Sequence, residues 1–371
     1  MTADELRALR TGAQRLHRPR GATAAGLVGH LTGVQAQDLP SAELALRARG
    51  TEPTAASVRA ARLDERAIVW TWAMRGTLHL LAAEDVRWLL ELLAPARIRG
   101  ARGRLAQLGH EGDTPQRAAA AIEALLSAEG PLTRAELAER LAARGFRTEG
   151  QATVHLLWFA AMRGVVCHGP ERDGAPAFVL LRDWVPEAPA PRDRDAALAE
   201  LARRHLAAHA PAEPRDVAAF AGVTVTEARA AFEALAGELD ELEGPEGPLW
   251  ALRGAPPPAA PPGTVRLLPS FDPYLLGWRD RALALPAEHA RKVFPGGGWL
   301  HPAAVVDGRA AGTWRRGRRP ERRVEVEPFE PLAPAVSAAL DAEAADMARF
   351  DGRPGEASSG SWISSSPPTT S

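Results

Sequence analysis

The sequence is nearly empty of cysteine, lysine and tyrosine: Cys167, Lys292 and Tyr274 each stand alone in 371 residues. A single cysteine excludes an intrachain disulfide framework and any zinc site built on several thiolates, and it suits a reducing interior. A single lysine leaves that side chain and the N-terminus as the only amines, so arginine carries nearly all the positive charge. Heavy use of arginine, alanine, glycine and proline reflects a GC-rich genome first and bidentate recognition second. No uninterrupted apolar run reaches the roughly 18 residues of a spanning helix. The opening MTADELRALRTGAQRL mixes acidic residues into a helical period and does not read as a secretory signal. The G-x-x-x-x-G-K-[ST] phosphate loop, the G-x-S-x-G elbow and the H-E-x-x-H zinc motif are missing, and His155, His168 and His301 are scattered, so neither metal nor cofactor is expected. A formal net charge of -1 excludes a uniformly basic nucleic-acid binder but leaves room for a local basic groove. The expected protein is soluble, cytoplasmic and free of membrane contact.

What is present is a repeated grammar of helix, turn, helix and β-like ending, the pattern of a winged helix-turn-helix. The middle copy is the clearest. TPQRAAAAIEALLSAEG stops at Gly130 and Pro131, Thr133 and Glu136 form a capping box that opens a second helix, a third runs over about 150–163, and VVCHGPERDGAPAFVLLRDW reads as two strands and a wing. The first copy places helices over 23–36 and 54–63, then the β-rich AIVWTWAMRGTLHLLA and another helix. The third starts with RDAALAELARRHLAAHA, continues through PRDVAAFAG and a helix opening at Thr224 or Thr226, and closes on LDELEGPEGPLWALRG. APPPAAPPG breaks every regular element, and beyond it the period becomes that of strands, with Asp307-Gly308 as a hairpin turn. The expected class is α+β, mainly α: tandem winged helix-turn-helix modules over 1–110, 111–190 and 191–254, a Pro-rich linker over 255–263, a C-terminal β-barrel-like domain over 264–350 and a disordered tail over 351–371.

Chemistry concentrates in a few segments. Gln35 and Gln37 in GVQAQDLPSAELALRAR lie where Gly33 and Pro40 bring a helix to its end. In a helix they would point about 200° apart, whereas extended backbone sets them on one face, and we read the pair as convergent. In MRGTLHL, alternation puts Arg75, Thr77 and His79 on one strand face, either a site wall or a solvated outer face. FDPYLLGWRDR combines Tyr274, Trp278, Arg279 and Arg281, a mixture suited to nucleic acid or to an apolar strand ending in an Asp280–Arg281 ion pair. RRGRRPERR holds Arg315, Arg316, Arg318 and Arg319 among six arginines in nine residues, a phosphate-binding loop or a solvated basic run. Arg97, Arg99, Arg102 and Arg104 are spaced so that a helix would spread them around its axis.

Four segments in order, GVQAQDLPSAELALRAR, WTWAMRGTLHLLAAED, LLPSFDPYLLGWRDR and HPAAVVDGRAAGTWRR, together resemble the AlkZ/YcaQ-type winged-helix DNA glycosylases over residues 20 to 330. The resemblance implies a C-shaped molecule around double-stranded DNA and a nucleoid-associated monomer. It carries catalysis onto Gln35 and Gln37, the family's Gln-x-Gln motif. Glutamine at the second position resembles the AlkZ-like branch, whose members remove bulky alkylated or crosslinked purines and often protect antibiotic producers; the YcaQ-like branch has aspartate there. Asp38, one position later, would face the other way on extended backbone. An N7-alkylated purine is already a cationic leaving group, so an enzyme need only position water and stabilise the sugar cation, which amides can do. With so few amines, a monofunctional glycosylase leaving an abasic site is expected. A non-catalytic winged-helix transcriptional regulator is the alternative.

Overall fold

The computed structural model describes residues 1–185, 193–319 and 322–352, with the side chains at 318, 319, 322 and 323 outside the description. The expected tail beyond 352 also lies outside the described residues.

In the first unit Thr23 accepts from Gly26 N and opens the helix Ala24–His30. That helix is shorter than expected, because Thr32 (φ 58°) and Gly33 (φ 115°) turn the chain through the left-handed region. A side chain on Gly33 would strike Leu81, Met74 and the carbonyl of Leu80, so the turn needs glycine for space as well as dihedral. The two-residue strand Val34–Gln35 follows. Asp38 then accepts from Ser41 N at 3.2 Å and starts the helix Leu39–Arg47, whose Pro40 sits in the first turn, where a missing N–H costs no hydrogen bond.

Six strands form one sheet in the order Val34–Gln35, Leu78–Ala82, Ile68–Trp72, Val166–Arg172, Ala175–Leu180, Leu132–Thr133. The hairpins of the first and second units therefore share a sheet. Trp70 pairs with His168 across the seam and their rings stack at 4.0 Å. Three helices precede the second hairpin: Thr114–Glu129, Arg134–Ala142 with the reciprocal Thr133–Glu136 cap, and Ala152–Met162. The third unit repeats that order with Arg194–His209, Pro214–Ala221 and Val225–Ala234, the last capped by Thr224, then the hairpin Leu239–Gly244 and Gly247–Leu252. One apolar core runs from Val69 and Leu89 through Leu156 to Leu201, Phe220 and Leu275, so the units are not separate beads. Among the described residues no helix is long and apolar enough to cross a membrane.

Residues 255–263 contain no helix or strand, yet they are fastened: Ala260 N donates to Ala8 O at 2.9 Å, and Pro258 lies against Gly12. The following strands form a four-stranded sheet in the order Arg322–Pro328, Arg309–Arg319, Ala303–Val306, Val265–Leu268. Its order is open, and no pairing among the described residues closes it into the expected barrel. The domain read as β also ends in a helix, Pro334–Phe350, which packs on Val265–Leu268. Charge fixes that helix in place. Arg47, fully buried, donates to Glu343 at 2.9 Å, to Asp346 at 3.0 Å and to the Leu267 carbonyl at 2.9 Å, and Arg18 joins both carboxylates. A buried guanidinium is tolerable only with such pairing, which here leaves Nε alone without a hydrogen-bond partner.

Candidate active site

Gln35 and Gln37 flank Ala36 on extended backbone. Gln35 lies opposite His79 in the antiparallel pair, Ala36 N donates to Leu78 O at 2.7 Å, and Trp70 Nε1 donates to Ala36 O at 3.1 Å. Alternation then sends Ala36 into the core while Gln35 is half-buried and Gln37 exposed. Both amide oxygens engage one turn: Arg75 Nη2 donates to Gln35 Oε1 at 2.7 Å and Leu78 N donates to Gln37 Oε1 at 3.1 Å. Each oxygen keeps a second lone pair and each amide its N–H donors. Asp38 is exposed and occupied as the cap of the next helix.

The strand expected to run unbroken over 74–80 is interrupted by a turn. Met74–Gly76 is a single 3-10 turn in which Arg75 (φ 54°) and Gly76 (φ 73°) are both left-handed, and the strand begins only at Leu78. Arg75 therefore projects from a hairpin turn and does not share a strand face with Thr77 and His79. The Thr77 hydroxyl donates back to Met74 O at 3.1 Å and stabilises the turn. His79 lies across from Gln35 on one side and Thr71 on the other, buried, with Nδ1 2.9 Å from Thr77 O. Burial first, and then the charge of Arg75, pushes its imidazole down to about 3. It is neutral near pH 7 and no proton donor of imidazolium strength.

Two distant units hold this turn. Arg75 also donates to the Phe220 carbonyl and Arg97 to that of Gly222, so both guanidiniums grip the C-terminal end of the helix Pro214–Ala221, where the helix dipole is negative. Trp158 Nε1 donates to Gly76 O at 3.2 Å. Burial pushes the Arg75 guanidinium down to about 10, and the charges of Arg281 and Arg97 add to that shift. Three cations thus gather beside the two amides, a focus of positive potential suited to phosphate. The positioning roles of Arg97 and Trp158 left no mark in the sequence, since their contacts span 125 and 82 residues.

Two residues expected at the DNA are buried instead. Tyr274 donates its hydroxyl to Gly308 O at 2.8 Å, and Trp278 Nε1 donates to His209 O at 3.0 Å. Between them and the first unit lies Asp272, fully buried, whose two oxygens accept from Arg49 at 2.8 and 2.9 Å. The segment is an internal clamp, its aromatic rings consumed by packing. At its end Arg279 is exposed, with its backbone N donating to Asp216 at 2.8 Å. Arg281 is half-buried, its guanidinium 4.7 Å from the Phe294 ring centre, and Asp280 turns its carboxylate to Ala282 N at 2.7 Å. Arg315 and Arg316 are exposed and ion-paired, with Glu325 and Asp351, each at 2.6 Å. The side chains of Arg318 and Arg319 lie outside the described residues.

Comparison with known proteins identifies the family. A family model described as DNA glycosylase AlkZ-like matches residues 28–350. A Streptomyces sahachiroi protein named interstrand DNA cross-link repair glycosylase is 32% identical over 350 residues, which cover 89% of this chain and 91% of that protein. The solved structure of the Streptomyces sahachiroi DNA glycosylase AlkZ is similar at a TM-score of 0.82 and 28% identity, covering 95% of this chain and 97% of that one.

Proposed function

The chain belongs to the AlkZ-like DNA glycosylase family, and from that premise we propose that it is a monofunctional enzyme hydrolysing the N-glycosidic bond of N7-alkylated purines, unhooking interstrand crosslinks among them, with Gln35 and Gln37 as its catalytic residues. The named relative acts in interstrand cross-link repair by its own description. The observation that carries the reading is the anchoring of both amide oxygens to the one turn beneath them. An anchored amide has its remaining lone pair and its N–H groups fixed in direction, which is the preorganisation that lets a weak polar group act on a transition state.

The division of labour follows from the partners. Gln35 shares its oxygen with a guanidinium, which polarises the amide and strengthens its N–H donors. Gln37 is the more exposed, shares its oxygen only with a backbone N–H, and so holds the better acceptor for the attacking water or the electron-poor sugar. Neither amide is a strong base and His79 is neutral, so a purine that must be protonated to depart is a poor substrate. A purine made cationic by N7 alkylation needs no acid. The chain's two kinds of amine are engaged elsewhere: Lys292 Nζ lies 5.2 Å from the Phe329 ring centre, and the N-terminal amine donates to Glu243 O at 3.1 Å. A Schiff base with the sugar therefore has no donor at the amide pair, and the product is an abasic site. We read the three helix-and-hairpin units as winged helices forming a DNA-embracing concave face, and the protein as a monomer on duplex DNA.

The test is release of N7-methylguanine and unhooking of a defined crosslink by wild type and by Gln35→Ala with Gln37→Ala. Removing donors and acceptors aimed at developing charge typically costs about 10²–10³-fold in rate each. The double variant should lose base release while keeping its Tm and its DNA affinity, and borohydride should trap no covalent enzyme. Undiminished release by the double variant would remove the two amides from the mechanism.

A further inference from the structure

Trp299 is exposed to 61%, and the only other large apolar side chain exposed among the described residues is Val225 at 37%. A tryptophan offers the largest apolar area of any side chain, so leaving it in water forgoes most of what it could contribute to folding. Its mount is built for display. Gly296 and Trp299 form an antiparallel bridge closed by Trp299 N to Gly296 O at 3.2 Å, and between them Gly297 (φ 62°) and Gly298 (φ 81°) are both left-handed, as a tight two-residue hairpin turn requires. A side chain at Gly296 or Gly298 would meet nothing within 4 Å, so the tip stands clear of the protein.

The underside is rigid. The indole leans on Phe271 with ring centres 5.7 Å apart. Phe271 is buried in a left-handed backbone conformation (φ 59°), unfavourable for an aromatic residue and enforced by Asp272 beside it, which Arg49 locks in place. The other flank is cationic. Phe294, at the base of the hairpin, lies under the Arg281 guanidinium, which is near enough to Arg75 to act on its charge, and Arg75 holds Gln35. Arg279 and Arg291 are exposed on the same stretch of chain. A preorganised aromatic plate with cations close by in the chain fits a nucleobase with its phosphates.

We propose that Trp299 is the base-stacking wedge of this enzyme, an indole that inserts beside the lesion and holds a neighbouring nucleobase of the duplex while the damaged nucleotide's sugar faces Gln35 and Gln37. It is a positioning residue, and the assignment rests on the placement of the damaged strand at those two amides. A wedge of this kind replaces stacking lost around a displaced nucleotide.

The experiment uses the full chain and a duplex containing a tetrahydrofuran abasic-site analogue, with 2-aminopurine as the neighbouring base. Wild type should bind it tightly and quench 2-aminopurine fluorescence by stacking the indole on that base. Trp299→Ala should bind about tenfold to a hundredfold more weakly, from the usual worth of one aromatic–base stack, and should lose the quenching; Trp299→Phe should restore the affinity. Binding to undamaged duplex and the Tm should stay near wild type. The proposal is overturned if Trp299→Ala keeps wild-type affinity and fluorescence, or if sedimentation shows a dimer that Trp299→Ala dissolves while both DNA readouts stay the same. The analogue has no glycosidic bond to cleave, so this outcome is independent of base release, by which Gln35 and Gln37 are tested.

Discussion

The turn at Met74–Gly76 and the segment from Phe271 to Arg281 are made of similar parts: arginines, a nearby tryptophan and a non-glycine residue forced to positive φ, Arg75 in one and Phe271 in the other. They end as opposites. In the first, Arg75 and Leu78 occupy one lone pair on each glutamine and leave the rest directed outward. In the second the buried side chains are spent within the protein, with Asp272 closed by Arg49, Tyr274 by Gly308 and Trp278 by His209. Strain in the first holds two amides facing outward, and strain in the second holds a clamp shut and an indole above it. Residue type alone does not separate a site from a staple; unspent hydrogen-bonding capacity at an exposed face does.

The sharpest break of that comparison is Asp272→Ala. It strands Arg49, fully buried, without its carboxylate, and losing one partner of a buried pair typically costs about 3–5 kcal/mol. Urea unfolding should show that loss, while base release per folded molecule at low temperature stays at wild-type level. Replacing both partners by apolar residues, Asp272→Leu with Arg49→Met, should recover much of the stability. Lost base release in Asp272→Ala that is still folded would make the clamp part of the site.

Acid is the next lever. Burial, as the first cause in each case, pushes His79 and His168 down to about 3 and His30 and His205 down to about 4, against an ordinary value of 6.5. Between those limits the unfolded chain binds more protons than the folded one, so this stabilisation is complete above pH 6.5 and drains away as pH falls toward 4 and 3. The thermal midpoint should drop steadily below pH 6.5. His168→Phe, which keeps the ring between Trp70 and Phe178, should flatten the slope by up to about 1.4 kcal/mol per pH unit, the value of one proton. An unchanged slope would mean that His168 is not the buried neutral base described.

The four local signals read most accurately from sequence are short-range ones. Thr133 with Glu136, Thr224, Gly130 and Asp307-Gly308 each specify an N-cap, stop or turn through atoms a few residues apart, and each was legible. Gln35 and Gln37 were legible as a pair for the same reason, since Gly33 interrupts the helix and extended backbone puts them on one side. What failed depended on distant partners. Whether Tyr274 faces DNA or Gly308 is decided by where a hairpin turn 34 residues away docks, and the aromatic and arginine composition of its segment suits both outcomes. The left-handed turn at Thr32 and Arg75 likewise answers to tertiary contacts, such as Trp158 on Gly76, that no local pattern encodes.

Arg75→Lys probes the first region more finely. Lysine keeps the charge but cannot span Gln35 Oε1 and the Phe220 carbonyl with one planar fork. Single-turnover base release should fall about tenfold, one hydrogen bond's worth of orientation, with affinity for DNA little altered because the charge remains. Equal losses in rate and affinity would assign Arg75 to phosphate contact and take it out of amide positioning.

Arg315→Ala should have the smallest effect, and its smallness is informative. Arg315 is exposed and already paired with Glu325, and such pairs contribute about 0–1 kcal/mol, so the Tm should hardly move. If the hairpin meets a phosphate, the guanidinium must first leave Glu325, and the exchange of one anion for another returns little net energy at physiological salt. The expected signature is therefore in the salt dependence: the slope of log affinity against log salt should become shallower by about 0.9, one phosphate's share of released counterions. Arg316→Ala should do less, because Asp351 holds that arginine from the end of the C-terminal helix and is itself largely covered. Identical salt slopes for wild type and Arg315→Ala would leave Arg315 as a solvated charge, and the groove-facing cations would then be those beside the glutamines, Arg75, Arg97 and Arg281.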